Sequence, residues 1–289
     1  AACIGMCFFG ISMITLGSVL PSLTTKLGLD NLQATALVTF LPLGLLGGSL
    51  LFGPIVDRFG HKALLLLSCL VVLLGLEGIA FFTSIPLLQV SIIGIGLGGG
   101  ILNGETNALV ADISNEAEKG SRLSLLGAFY GIGALGIPVL LSFLSEYYSF
   151  EIILQGTGMV MLIGILFCLG IRFPAPKQPQ GFPIKEGLGL LKESSLLLLS
   201  FILFQSGIEG VCNNWTTLYL GQTTGIPENR ALIALTCMVA GLTVARLLLV
   251  VLFKKIKQET VLRTSLITAV AGFALLTFAP GFARAAIGM

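Results

Sequence analysis

Glu209 sits in the middle of a long apolar stretch, with Gln205 four residues before it and Asn213 four residues after. On a helix, positions four apart share one face, so the three form a polar stripe. A carboxyl there can take up and release a proton, and flanking amides match the hydroxyls of a polar solute. Trp215 adds a flat stacking surface two residues further on. The plainer alternative is a protonated Glu209 bonded to a neighbouring helix. A second group is Asn103, Glu105 and Asn107. At 100° per residue the two asparagines share a face and Glu105 lies about 200° from Asn103. Glu105 therefore serves another face, as a second proton carrier, or it caps the end of its helix. Arg246 is the basic residue well inside an apolar stretch, where insertion costs about 2.5–3.5 kcal/mol. It contacts a gate or substrate, or it snorkels to the nearer surface.

This is not the equipment of an enzyme, because no catalytic pair is visible. The chain has one histidine, His61, so a His-based metal site is not expected. Its six cysteines (Cys3, Cys7, Cys69, Cys168, Cys212 and Cys237) lie in apolar runs and read as reduced packing residues. Gly94-Ile95-Gly96-Leu97-Gly98-Gly99 matches a dinucleotide-binding spacing, but no strand precedes it. Glycines there are expected to bring helices close. Gly131, Gly133, Gly136 and Pro138 are expected to act likewise.

The elements that must hold these residues follow from composition. Charged residues are 10% of the 289, against roughly 25% in soluble domains. Hydrophobic residues are 55% and mean hydropathy is +1.00. So few charges cannot cover that much apolar surface in water. The chain is expected to be an all-α membrane protein. A net charge of +2 gives no reason to expect nucleic acid.

Crossing about 30 Å of hydrocarbon takes roughly 20 apolar residues. Nine stretches qualify: 1–23, 33–56, 63–82, 86–110, 122–145, 151–172, 194–220, 229–253 and 261–280, with a tenth opening near 284. Lys and Arg gather on one side, at Arg58, Lys62, Lys119, Arg122, Arg172, Lys177, Lys185, Lys192, Lys254, Lys255, Lys257 and Arg263. The other side has Lys26, Arg230 and Arg284. The richer side is expected to be cytoplasmic. Residues 173–193, with four prolines and three lysines, read as a cytoplasmic linker. The expected domains are a six-helix half at 1–172, the linker at 173–193, and an incomplete second half at 194–289. Opening on Ala1-Ala2-Cys3 and stopping at Met289, the chain reads as a fragment.

A shift that lays Gly10-Ile11 on Gly207-Ile208 also lays Gly44-Leu45 on Gly241-Leu242 and Gly75 on Gly272. Spans one to three then fall on seven to nine. Parallel six-helix repeats of this kind build transporters.

Between spans two and three the chain reads Gly53-Pro54-Ile55-Val56-Asp57-Arg58-Phe59-Gly60-His61-Lys62. This resembles the signature loop of the major facilitator superfamily. Gly53, Asp57, Arg58, Gly60 and Lys62 fit, and His61 replaces the usual Arg. The resemblance implies a major facilitator fold of two six-helix halves, the second truncated here. It also implies gating roles for Gly53, Asp57, Arg58 and Gly60, with Asp57 capping a helix or pairing with Arg58 or Arg122. Arg246 resembles the Gly-Arg of that family's eighth helix, with Ala245 for Gly. The run Gly207 to Leu220 resembles the seventh helix of fucose-permease-like sugar transporters. In those an acidic residue precedes the Asn by four, a slot that Asn103 fills here.

The expected function is a secondary active transporter moving a small polar solute, a sugar or polyol, by proton-coupled alternating access. It would use no cofactor beyond the proton gradient. It would work as a monomer in a lipid bilayer, with the bacterial inner membrane as the expected location. The alternatives are a proton-driven exporter or antiporter of drugs or metabolites, or a transporter-like membrane sensor. Span four lacks the Arg usual in drug antiporters, which weighs against export.

Overall fold

The computed structural model describes residues 1–174, 196–252 and 258–278, and these contain helices and no strand. Eight helices follow in order: α1 (Ala2–Leu27), α2 (Asn31–Phe81), α3 (Ile85–Asp112), α4 (Glu116–Leu144), α5 (Phe150–Leu169), α6 (Leu196–Thr224), α7 (Glu228–Leu252) and α8 (Gln258–Phe278). The linker from 175 and the start of a tenth span lie outside the described residues.

Local chemistry explains where the helices begin and end. Gly28, at φ 61°, closes α1 in the left-handed conformation that glycine adopts without strain. Asp30 then opens α2 with a capping box: its side chain accepts from the Gln33 N–H at 2.7 Å, and its N–H donates to the Gln33 side chain at 3.1 Å.

Spans two and three are joined almost without a loop. At 51 residues α2 would be far longer than a bilayer is thick, but Gly60 breaks it at φ 79°, ψ 168°. The break makes two arms, each the length of one crossing. Helix α3 packs against both. Gly96 and Gly100 meet the backbone of the first arm at Leu41 and Leu45, and Gly98 meets the second arm at Ser68 and Val72. A side chain at any of these three positions would collide with backbone. The glycine-rich run is thus a packing surface, as its composition suggests. In α4 the small residues divide: Gly133 lies on the backbone of Cys7 and Gly131 on the Thr243 side chain, while Gly136 faces open space.

α1 runs through the middle of the described bundle, packing on α3, α4 and α6, and α4 also packs on α7. Ile14, Leu16 and Leu20 of α1 are fully buried. Around the outside, Leu46, Leu74, Phe143, Ile163 and Phe167 are exposed. Such a surface is stable only in hydrocarbon.

Candidate functional site

The bundle brings the polar residues together in three separate places. The first is at mid-height, where α1, α4 and α6 meet. The Tyr130 hydroxyl of α4 donates to Glu209 Oε1 of α6 at 3.5 Å, the outer limit of a hydrogen bond. The Tyr130 ring is buried and leans on Phe9 of α1, with centroids 5.3 Å apart. One turn along α6, Asn213 and Asn214 are buried against α1. Their backbone lies directly on Gly17, which has no side chain to keep them apart. Asn214 donates to the Gly210 carbonyl at 2.9 Å, but the amide oxygens of both asparagines have no partner. Buried polar atoms without a partner are costly. Asn213 is packed at the α1 seam, one turn from Glu209 on the same face of α6. Trp215 is half-buried and packs on the apolar core. Gln205 lies on α6 and Arg246 on α7, but their side chains fall outside the described ones.

The same seam is tied shut toward the Lys26 end. Thr217 donates to the Gly17 carbonyl. Ser22 donates to Glu228 at 2.5 Å, and Gln222 donates to Asn31 at 3.0 Å. Lys26 pairs with Glu151 at 2.6 Å. The first three contacts join α1 and α2 to α6 and α7.

The second place is a face of α3. Asn107 donates to the backbone carbonyl of Asn103 at 2.8 Å and to its side-chain oxygen at 3.2 Å. Both are half-buried and lie on α3, whereas the Glu209 contact joins α6 to α4.

The third is at the Gly60 end. Glu105 points away from the asparagines, as the 200° separation requires, and is fully buried. Its Oε1 is 2.9 Å from Nδ1 of His61, and His61 Nε2 is 3.2 Å from Oδ2 of Asp112. Glu105 thus neither caps α3 nor faces the asparagines; it pairs with the joint. Around it, Lys62 donates to the last carbonyls of α5, at Leu169, at 2.7 Å. Arg58 lies over the Phe59 ring at 5.3 Å. Arg122 pairs with Glu118 at 2.7 Å and donates to the Ile113 carbonyl at 3.2 Å, so it is not the expected partner of Asp57. Asp57 is half-buried, and Gly53 has open space around it. On the other arm Glu77 lies against Gly158 of α5.

Sequence reasoning missed Tyr130, Asn214 and the engagement of His61. Tyr130 left one usable sign: a tyrosine in the middle of an apolar span must find a partner for its hydroxyl.

Comparison with known proteins places this architecture. The chain is 29% identical over 178 residues to the inner membrane transport protein YdiN of Escherichia coli, across 60% of this chain and 42% of that one. It thus spans less than half the length of that relative. Two solved structures share its fold over its whole length. The xylose transporter XylE of E. coli in a partially occluded inward-open conformation gives a TM-score of 0.69 at 17% identity, with 83% of that chain covered. The E. coli fucose:proton symporter FucP gives 0.67 at 18% identity, with 79% covered. The description "Major Facilitator Superfamily" matches residues 2–289. A fused α2 broken at a glycine, a glycine-faced α3 and a polar α1–α4–α6 seam are thus features of a membrane protein that belongs to the Major Facilitator Superfamily.

Proposed function

We propose that this protein is a secondary active transporter that moves a small polar solute, a sugar or polyol, by proton-coupled alternating access. The observation that carries the reading is the Glu209–Tyr130 contact. It places a carboxyl between α4 and α6, the elements that the sequence repeat assigns to different halves. A carboxyl that meets a hydroxyl across that seam at the outer limit of a hydrogen bond can exchange that partner when the halves move. Asn213 and Asn214 supply amide groups beside it, Trp215 a stacking surface, and Asn103 and Asn107 a second amide pair. Two halves (1–172 and 194–289) joined by a cytoplasmic linker at 173–193 would rock about this seam. Asp57, Arg58, Gly53 and Gly60 would steady one orientation, and Arg246 would act from the second half. The contacts at the Lys26 end give the state closed on that side, which the charge distribution makes the outer one. XylE is a xylose transporter and FucP a fucose:proton symporter. That likeness establishes fold, and the sugar reading rests on amide chemistry and on the absence of a basic cluster near mid-height among the described residues.

The test is uptake by the full-length protein in proteoliposomes, with a panel of labelled sugars and polyols and an imposed pH gradient. Accumulation above equilibrium for a member of the panel is expected. Transport without any response to the gradient, or of apolar cations only, would overturn the proposal in favour of an exporter or uniporter. Impermeant thiol labelling in intact cells checks the orientation: a cysteine placed at Lys26 should label, and one at Lys62 should not.

A further inference from the structure

We infer that His61, Glu105 and Asp112 form a proton-binding site at the Gly60 end of the bundle, distinct from Glu209, which fastens the α2 joint to α3 when occupied. The argument is one of hydrogen-bond valence. Both ring nitrogens of His61 face carboxyl oxygens, at 2.9 and 3.2 Å. A neutral imidazole has one N–H and one lone pair. It can donate to one carboxylate, but its lone pair would then face the negative oxygen of the other. Both contacts are satisfied together only when the group holds one more proton.

The positions of the three residues suit reversible binding. Glu105 and Asp112 are seven apart on α3, two helical turns, and so lie on one face. Glu105 is fully buried, and its second oxygen, Oε2, has no partner. Asp112 has a side chain 26% exposed and is the path to water. His61 is held between them because Gly60 turns the chain just before it. His61 lies in the joint at 57–62, between the two crossings and outside both. Its imidazole is held above the ordinary range, first by the hydrogen bond it donates to Glu105 and then by Asp112, against the opposing effect of burial.

The surrounding charges on the described side chains come from two elements. On α2 they are Asp57, Arg58 and Lys62, the last committed to Leu169. At the start of α4 they are Glu118, Lys119 and Arg122, the last paired with Glu118. On α3 only the two carboxylates face the ring. An arginine at position 61 could donate to both carboxylates at every pH, whereas histidine makes the fastening conditional. Its sign follows from the imidazole: the joint is docked while the ring is protonated, and the docking weakens as pH rises through the titration of His61. Resting on the transport reading above, this makes turnover depend on cytoplasmic pH.

The experiment is nitrogen NMR of the full-length protein labelled with 15N-histidine in nanodiscs, with the His61 signals assigned by their loss in His61→Gln. At pH 7.5 a free imidazole, titrating near 6.5, is about nine-tenths neutral. Protons on both His61 nitrogens at pH 7.5 are expected. In Asp112→Asn and Glu105→Gln the conversion to a single N–H should come at least about one pH unit lower. A neutral His61 at pH 7.5 that titrates like free imidazole in all three proteins would overturn the proposal. This readout does not depend on transport. Solute exchange then tests the consequence: its rate should vary between pH 6 and 9 in the wild type and be flat in His61→Arg. An unchanged pH profile in a folded His61→Arg would remove the regulatory role, while failure of exchange in every protein would count against the transport reading alone.

Discussion

The chain has two acidic centres that are built in opposite ways. Glu209 is half-exposed and reaches across to a helix of the other half, where the Tyr130 hydroxyl donates to it at 3.5 Å. Glu105 is fully buried inside one half and is 2.9 Å from a histidine that also reaches Asp112. A loosely held carboxyl at a moving seam can change partners at small cost. A buried, bridged one resists change until its charge does. Under the proposed function, Glu209 would belong to the transport step and Glu105 to the state of the scaffold.

Four substitutions sharpen or break that contrast. The largest effect is expected for Glu209→Gln, which keeps shape and hydrogen bonding but removes the titratable group. Uphill accumulation driven by a pH gradient should be lost, with exchange at equal concentrations retained. Wild-type accumulation by this variant would move the coupling role elsewhere, and Glu105 would be the next residue to test. Next, Glu105→Ala leaves His61 with one partner and an empty space around it. Breaking a buried pair costs about 3–5 kcal/mol, so thermal unfolding of the purified protein should come at a markedly lower temperature. If the loss equals that of an exposed substitution, the burial of Glu105 has no structural weight.

Asp57→Asn should slow turnover several-fold while leaving solute affinity within about twofold. Asp57 stands at the joint, away from the seam, and under the proposed function would act on one conformation. Measurement of binding and exchange side by side separates the two; loss of binding at unchanged exchange would remove it from the gate. The smallest effect belongs to Tyr130→Phe. A hydrogen bond at the limit of its range is worth at most about 0.5–1.5 kcal/mol, so solute affinity should fall by only about two- to tenfold. An effect as large as that of Glu209→Gln would show that Tyr130 and Glu209 work as one unit.

Some of this was legible in the sequence and some was not. The spans were, because a run of about 20 apolar residues has one plausible use. Gly60 marked the turn, and the angle between Asn103 and Glu105 followed from helical periodicity alone. The pairing of Glu105 with His61 was not legible, because periodicity gives a residue's face and not the neighbour that meets it. The same applies to Asn213: its place on the stripe was clear, but its burial depends on Gly17, roughly two hundred positions away in the chain. Sequence position offers Arg122 to Asp57, and only the geometry shows it paired with Glu118.

The glycines of α3 have a mechanical consequence. Where Gly96, Gly98 and Gly100 sit, backbone lies on backbone along two sides, and no side chain can rotate to make room. The seam near the Lys26 end is instead tied by the side chains of Ser22, Gln222 and Thr217. These ties can break and re-form one by one. Under a twisting load the molecule should part along that line of hydroxyls and amides, while α3 and both arms of α2 travel together as a single stiff lever.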